Sequence, residues 1–247
     1  MTNNRLYLKY LNIGSFIVAL YVNYLSVVTK LGGRSIRELS DKYDNLFTPS
    51  GQTFSIWGLI YTLIMIFLVI QFFKKYSLYA VTQNFLFSIS CLLNAAWIIF
   101  WQFEFIGISV LVMLGLLTTL TLINKQISKE GTTLLKLIFG VYLGWICIAT
   151  VANITTLFVA KELVPNTDLQ QAITIGMLVI ATALTGWLIH KLKNPYLFIP
   201  VSWAFYGIYT KRIDDYSLIA YTALTALVAV AVFTLLKMNF SKKFSEL

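Results

Sequence analysis

The sequence predicts an all-α fold, a polytopic bundle of transmembrane helices, and three observations carry that expectation. Apolar runs of about 18 residues or more recur along the chain, each long enough to cross a bilayer. Of the 247 residues, 58% are hydrophobic and 12% charged, about half the charged fraction of an ordinary soluble domain. The third observation is where the charge sits. Lys and Arg occur singly or in pairs between the apolar runs, as in membrane topology signals, so the net charge of +9 argues for no nucleic-acid partner.

Taken in order, the first span runs from Leu8 to Thr29 behind Arg5 and Lys9. Its apolar run is too long for a signal peptide and no small-x-small cleavage site follows, so it reads as a retained helix. Lys30 to Thr53 is the longest polar stretch and is expected to be a functional or mobile loop. Within it Ser40-Asp41 could cap a short helical turn, and Thr48-Pro49-Ser50-Gly51 reads as a turn. Phe54–Phe73 is the second span, closed by Lys74 and Lys75, and Val81–Trp101 the third. The short link to the fourth span, Phe105–Asn124, makes those two helices antiparallel neighbours. Lys125, Lys129 and Lys136 mark the next connection. The fifth span, Thr133–Ala160, is followed by a helix-stopping Pro165.

Three more spans follow: Leu169–His190, rich in Thr and small residues; Pro195–Tyr209, which Pro200 should kink; and Tyr216–Leu236. With eight spans, the N-terminus, even-numbered loops and C-terminus carry 12 Lys and Arg, against 7 on the other side. The positive-inside rule then places both termini in the cytoplasm and the long first loop outside, in a cell-membrane protein.

The stretch around which the chain is organised is Val141–Asn153. At 100° per residue, Tyr142, Trp145, Ala149 and Asn153 share a stripe about 80° wide, with Gly140 and Gly144 near the opposite side. A Gly-x-x-x-Gly face lets a neighbouring helix approach closely. The sequence leaves open whether that neighbour is a second protomer, giving a homodimer, or another helix of the same chain.

Catalytic sets are scarce. His190 is the sole histidine and sits at a span end, Cys91 and Cys147 lie within spans, and no set has metal-ligand spacing. No carboxylate lies mid-span, which argues against ion-coupled transport. Glu104 reads as solvated in a tight turn, and Asp214 and Asp215 beside Lys211 and Arg212 as an exposed loop. What remains is aromatic: 6 Trp, 14 Tyr and 18 Phe. Trp57, Trp97, Trp101 and Trp187 lie near span ends, where belts form, whereas Trp145 and Trp203 lie mid-span, where an indole N–H must find a partner. Trp57 and Tyr61 share one helix face; Asn94 and Trp97 share another. Aromatics with a few amides suit a flat, largely apolar ligand held by stacking and one or two hydrogen bonds. Asn94 and Asn153 fit equally well as hydrogen bonds between helices.

In order, these pieces resemble the TspO/MBR family, the tryptophan-rich sensory or translocator proteins. Tyr43-Asp44-Asn45-Leu46 followed by Pro49 is similar to the family's first loop, Trp57-x-x-x-Tyr61 to its second-helix motif, and Asn94-Ala-Ala-Trp97 with Phe100 to its third. Tyr142-Leu-x-Trp145 and then Asn153 resemble its fifth-helix motif. Val141 stands where the family has a proline, Ile98-Ile99 where another follows the third-helix Trp, and the cholesterol-recognition pattern after the fifth helix is missing.

The resemblance implies a five-helix core over residues 1–160, with 161–247 as a three-helix transmembrane extension. It also implies a ligand site at Trp57, Tyr61, Asn94, Trp97, Tyr142, Trp145, Ala149 and Asn153, with the first loop over its mouth. The implied ligand is a porphyrin or another apolar small molecule of the tetrapyrrole kind, with no cofactor required. The chain thus reads as a sensor, receptor or carrier rather than an enzyme. Two alternatives are facilitated transport of a small molecule and light- and oxygen-dependent degradation of a bound porphyrin.

Overall fold

A computed structural model describes residues 2–34, 36–73, 75, 85–130, 132–164 and 166–243. The all-α expectation holds: nine α-helices and no strand occur among the described residues. They are α1 (Thr2–Val28), α2 (Ile36–Lys42), α3 (Ile56–Ile70), α4 (Leu86–Gln102), α5 (Ile106–Glu130), α6 (Thr133–Ala160), α7 (Thr167–Leu192), α8 (Phe198–Arg212) and α9 (Ser217–Lys243). Single 3-10 turns, Gly51–Ser55 and Pro195–Leu197, lead into α3 and α8.

Six segments among the described residues are long and apolar enough to cross a membrane: Leu6–Val28, Gly51–Ile70, Ile106–Lys129, Thr133–Ala160, Thr167–Leu192 and Ser217–Met238. The chain is an integral, multi-pass membrane protein. Two of the eight expected spans, the third and the seventh, fall outside this set. The third begins at Leu86 in the described residues and runs 17 residues, its expected start at Val81 lying outside them. The seventh is the 15-residue α8. Pro200, expected to kink it, falls in its first turn, where a backbone N–H has no partner within the helix to lose. Ser40 and Asp41 lie near the end of α2 rather than capping its start. Pro165 lies outside the described residues; α7 opens instead on Asn166, whose side chain accepts from the Leu169 amide at 2.9 Å.

The centre of the bundle is α6. Of its most apolar stretch 78% is buried, against 44% or less for every other candidate span. It is a long proline-free run, started by the Thr132 side chain accepting from the Leu135 amide, and it packs against α3, α5, α7 and α8. A helix enclosed on all sides cannot be amphipathic, and its sequence is apolar all round. α1 lies mainly on α4, α4 on α5, and α9 on α7 and α8.

The glycine face of α6 meets this same chain. A Cβ on Gly140 would run into the Asn194 amide, and one on Gly144 into the carbonyl oxygen of Leu197 and the Pro200 ring. The opening of α8 is thus seated where only glycine leaves room. Asn194 completes the contact, donating to Asn124 Oδ1 at 2.8 Å and to the Lys136 carbonyl at 2.9 Å.

Partners across the loops show the alternation of the helices. Arg34 and Glu104 pair across the first and third loops, and Asp44 and Arg212 across the first and seventh. Asn194 meets Lys136 across the sixth and fourth, at the opposite end, where Gln71 after α3 reaches the Lys9 carbonyl near the start of α1.

Candidate functional site

The stripe of α6 opposite its glycines faces α3, and the two meet through aromatic rings. Trp57 stacks on Tyr61 with centroids 5.4 Å apart, as the i, i+4 spacing on a helix requires. Trp57 also meets Tyr142 and Trp145 edge-on, each at 6.3 Å, and Phe54 meets Trp145 at 5.9 Å. Edge-to-face contacts at these distances are the favourable arrangement for aromatic quadrupoles.

Two adjoining cavities flank this cluster. The larger, about 570 Å³, lies between α1, α3 and α4 under the first loop. Asn23, Ser26, Ile36, Phe54, Trp57, Tyr61 and Trp97 form much of its wall. The smaller, about 50 Å³, runs deeper toward α6 and is lined by Trp97, Trp101, Trp145, Ala149 and Asn153 under Thr48 and Pro49. Ile36, Phe54, Trp57 and Trp97 border both.

Of the eight residues singled out in the sequence, Trp57, Tyr61 and Trp97 therefore line the larger cavity, and Trp57, Trp97, Trp145, Ala149 and Asn153 the smaller. Tyr142 stands behind Trp57 as a ring contact. Asn94 also stands back from both cavities, accepting at 3.4 Å from Asn23, which lines the larger.

The polar atoms divide into satisfied and unsatisfied sets. Asn153 is a bond between helices: its Nδ2 donates to Ser109 Oγ of α5 at 2.9 Å. Asn94 Nδ2, Tyr61 Oη and the indole nitrogens of Trp97, Trp101 and Trp145 are buried without a hydrogen-bond partner among the described residues. An unpaired buried donor is costly and uncommon in a folded protein, so five around one pair of cavities need a reason. The mid-span expectation for indoles is met at Trp203, whose N–H donates to the Thr53 carbonyl at 3.0 Å, and not at Trp145.

The first loop forms the roof as a strap from α2 to the start of α3. Its first half is clamped by Glu104, which is not simply solvated as the tight turn suggested. Glu104 accepts from Arg34 at 2.9 Å, from Tyr43 Oη at 2.5 Å and from Lys42. The Lys42 and Tyr43 hydrogen bonds hold its carboxyl below the ordinary carboxylate value, while burial pushes the Tyr43 phenol up. Its second half is pinned by Asn45, whose Oδ1 accepts from Thr155 at 3.0 Å and whose Nδ2 donates to Thr156 at 3.2 Å.

Sequence reasoning missed three contributors. Asn23 carries the same signal that marked Asn94 and Asn153, an amide inside an apolar span. Phe54 lies one helical turn before Trp57. Arg212, expected in an exposed loop, is 5% exposed and bonds the strap. Nothing local distinguishes it from any other basic residue at a helix end. No group of three or more His, Cys, Asp or Glu among the described residues could hold a metal ion.

Compared with known proteins, residues 9–236 match the model of a family described as TSPO-like protein, which covers the core and most of the last three helices. No curated protein and no solved structure matches the chain.

Proposed function

The chain belongs to the TSPO-like protein family, and on that premise we propose that it is a membrane receptor or carrier that binds a flat, apolar small molecule of the tetrapyrrole class. The observation that carries this reading is the pairing of a largely apolar 570 Å³ cavity with unpartnered donors beside it. A cavity of this size falls in the range of small-molecule sites, which combine apolar walls with a few placed polar groups. Trp57 and Trp97 would supply stacking surfaces. The indole N–H groups of Trp97, Trp101 and Trp145 would donate to ligand acceptor atoms, and the strap would close over the bound molecule.

The test is a titration of purified protein with protoporphyrin IX, followed by tryptophan fluorescence, in wild type and in Trp57→Leu. Saturable quenching, weakened about ten-fold or more by the loss of one stacked ring, supports the reading. Quenching that never saturates, or that Trp57→Leu leaves unaltered, sinks it. The basic-residue count favours both termini in the cytoplasm and the strap on the outer face of the cell membrane. Labelling of a cysteine introduced at Gln52 by a membrane-impermeant reagent on intact cells tests that orientation, and protection of that cysteine contradicts it.

A further inference from the structure

Among the described residues, none that lines the two cavities comes from α7, α8 or α9, yet the cavity roof is tied to α8 along much of its length. Arg212 Nη2 donates to the Asn45 carbonyl at 2.8 Å and to Asp44 Oδ1 at 3.3 Å, and its Nε donates to the Leu46 carbonyl at 3.2 Å. The Ser50 amide donates to the Gly207 carbonyl at 3.0 Å. The Trp203 indole donates to the Thr53 carbonyl at 3.0 Å. A Cβ on Gly207 would run into Thr53 Oγ1, so the Thr53 side chain lies directly against the backbone of α8.

Beside the Asn45 bonds to Thr155 and Thr156 of α6, the strap's attachments at its Glu104 and α8 flanks differ in kind. At the Glu104 flank the Arg34 and Lys42 side chains are 50% and 40% exposed. Ion pairs in such positions are weak and salt-screened. At the α8 flank Arg212 is buried, and its release would leave carbonyl oxygens and a guanidinium unpaired. A ligand that lifts the roof therefore frees the first flank at lower cost and leaves the second attached.

We propose that α8 is a coupling arm: the strap opens at its Glu104 flank while remaining bolted to α8, so that cavity occupancy and the position of α8 are linked. Strap displacement passes to α8 and to α9, which packs along it. By linkage, anything that holds α8 alters ligand affinity to the same degree. The role of the last three helices would then be to report or set the state of the roof. This rests on the cavity being the ligand site.

Hydrogen exchange of the full chain in lipid nanodiscs, read by mass spectrometry, tests the arm without any ligand. Glu104→Gln touches no α8 contact, and it is expected to speed exchange about five-fold, the worth of one net hydrogen bond, in residues 44–53 and in 207–212 together. Trp203→Phe, which removes one bond and keeps an aromatic ring, is expected to speed exchange in 44–53 by a similar factor. Faster strap exchange in Glu104→Gln with no change in 207–212 overturns the proposal, as does an unchanged strap in both variants. The same samples are then titrated with protoporphyrin IX. A wild type that does not bind it defeats the proposed ligand class, whereas the exchange pair still decides the arm.

Discussion

Asn153 shows how one residue can satisfy two readings of a sequence. It lines the smaller cavity and also bonds Ser109 across α5 and α6, so its removal alone does not reveal a ligand contact. A double-mutant cycle with Ser109→Ala and Asn153→Ala separates the roles. The expected coupling energy in unfolding is about 1 kcal/mol, the usual worth of such a bond in a bilayer, and zero coupling would return Asn153 to the ligand. Glu104 makes a second residue-scale prediction. Hydrogen bonds from Lys42 and Tyr43 hold its folded carboxyl below the ordinary value of 4.5. A depressed carboxyl stabilises above its unfolded value, and that contribution fades as pH falls through the lower folded value. Opening of residues 36–43, read as exchange corrected for the intrinsic amide rate, should therefore be insensitive to this group at neutral pH and should rise as pH drops below 4.5, a rise that Glu104→Gln abolishes. The same pH dependence in the variant would contradict this.

At the scale of the element, α6 was the most legible part of the chain and α8 the least. The glycines, aromatics and amide of α6 sit at helical spacing in one long apolar run, and both faces find the kinds of partner that such spacing implies. What the spacing could not give was the identity of the close neighbour, because a small-residue face specifies distance and not sequence. That neighbour is the Asn194–Pro200 segment. Gly144→Val should therefore unseat the start of α8 and destabilise the chain by about 1–3 kcal/mol, the range for overpacking. Gly58→Val, at a helical glycine with open space around it, should cost far less in the same thermal unfolding assay. Equal losses would contradict the packing described. α8 was harder to read because its length, its proline and its terminal basic pair point only to an ordinary short span. Its function as a fastening depends on residues about 150 or more positions away in sequence, as with Trp203 and Thr53, and no local pattern records such a distance.

At the scale of the whole molecule, membrane character and helical class follow from composition and run length, and the alternation of loops from the placement of Lys and Arg. Trp57, Tyr61, Trp97, Trp145, Ala149 and Asn153 were legible as residue types in a given order, and they gather on two adjoining cavities. The contribution of α1 went unread, although Asn23, an amide inside an apolar span, shares a helix face with Ser26 three residues on. The shape of the cavity follows from how little α1 touches α3 compared with α4, a tertiary property. The central claim is that this space between α1, α3 and α4 is where a flat apolar molecule binds. Photolabelling of the full chain in nanodiscs with a diazirine-bearing protoporphyrin, mapped by mass spectrometry, tests it most directly. Saturable labels competed by unmodified protoporphyrin are predicted in residues 23–28, 51–61 and around Trp97. Saturable labels confined to the outer faces of α7 and α9 would contradict it.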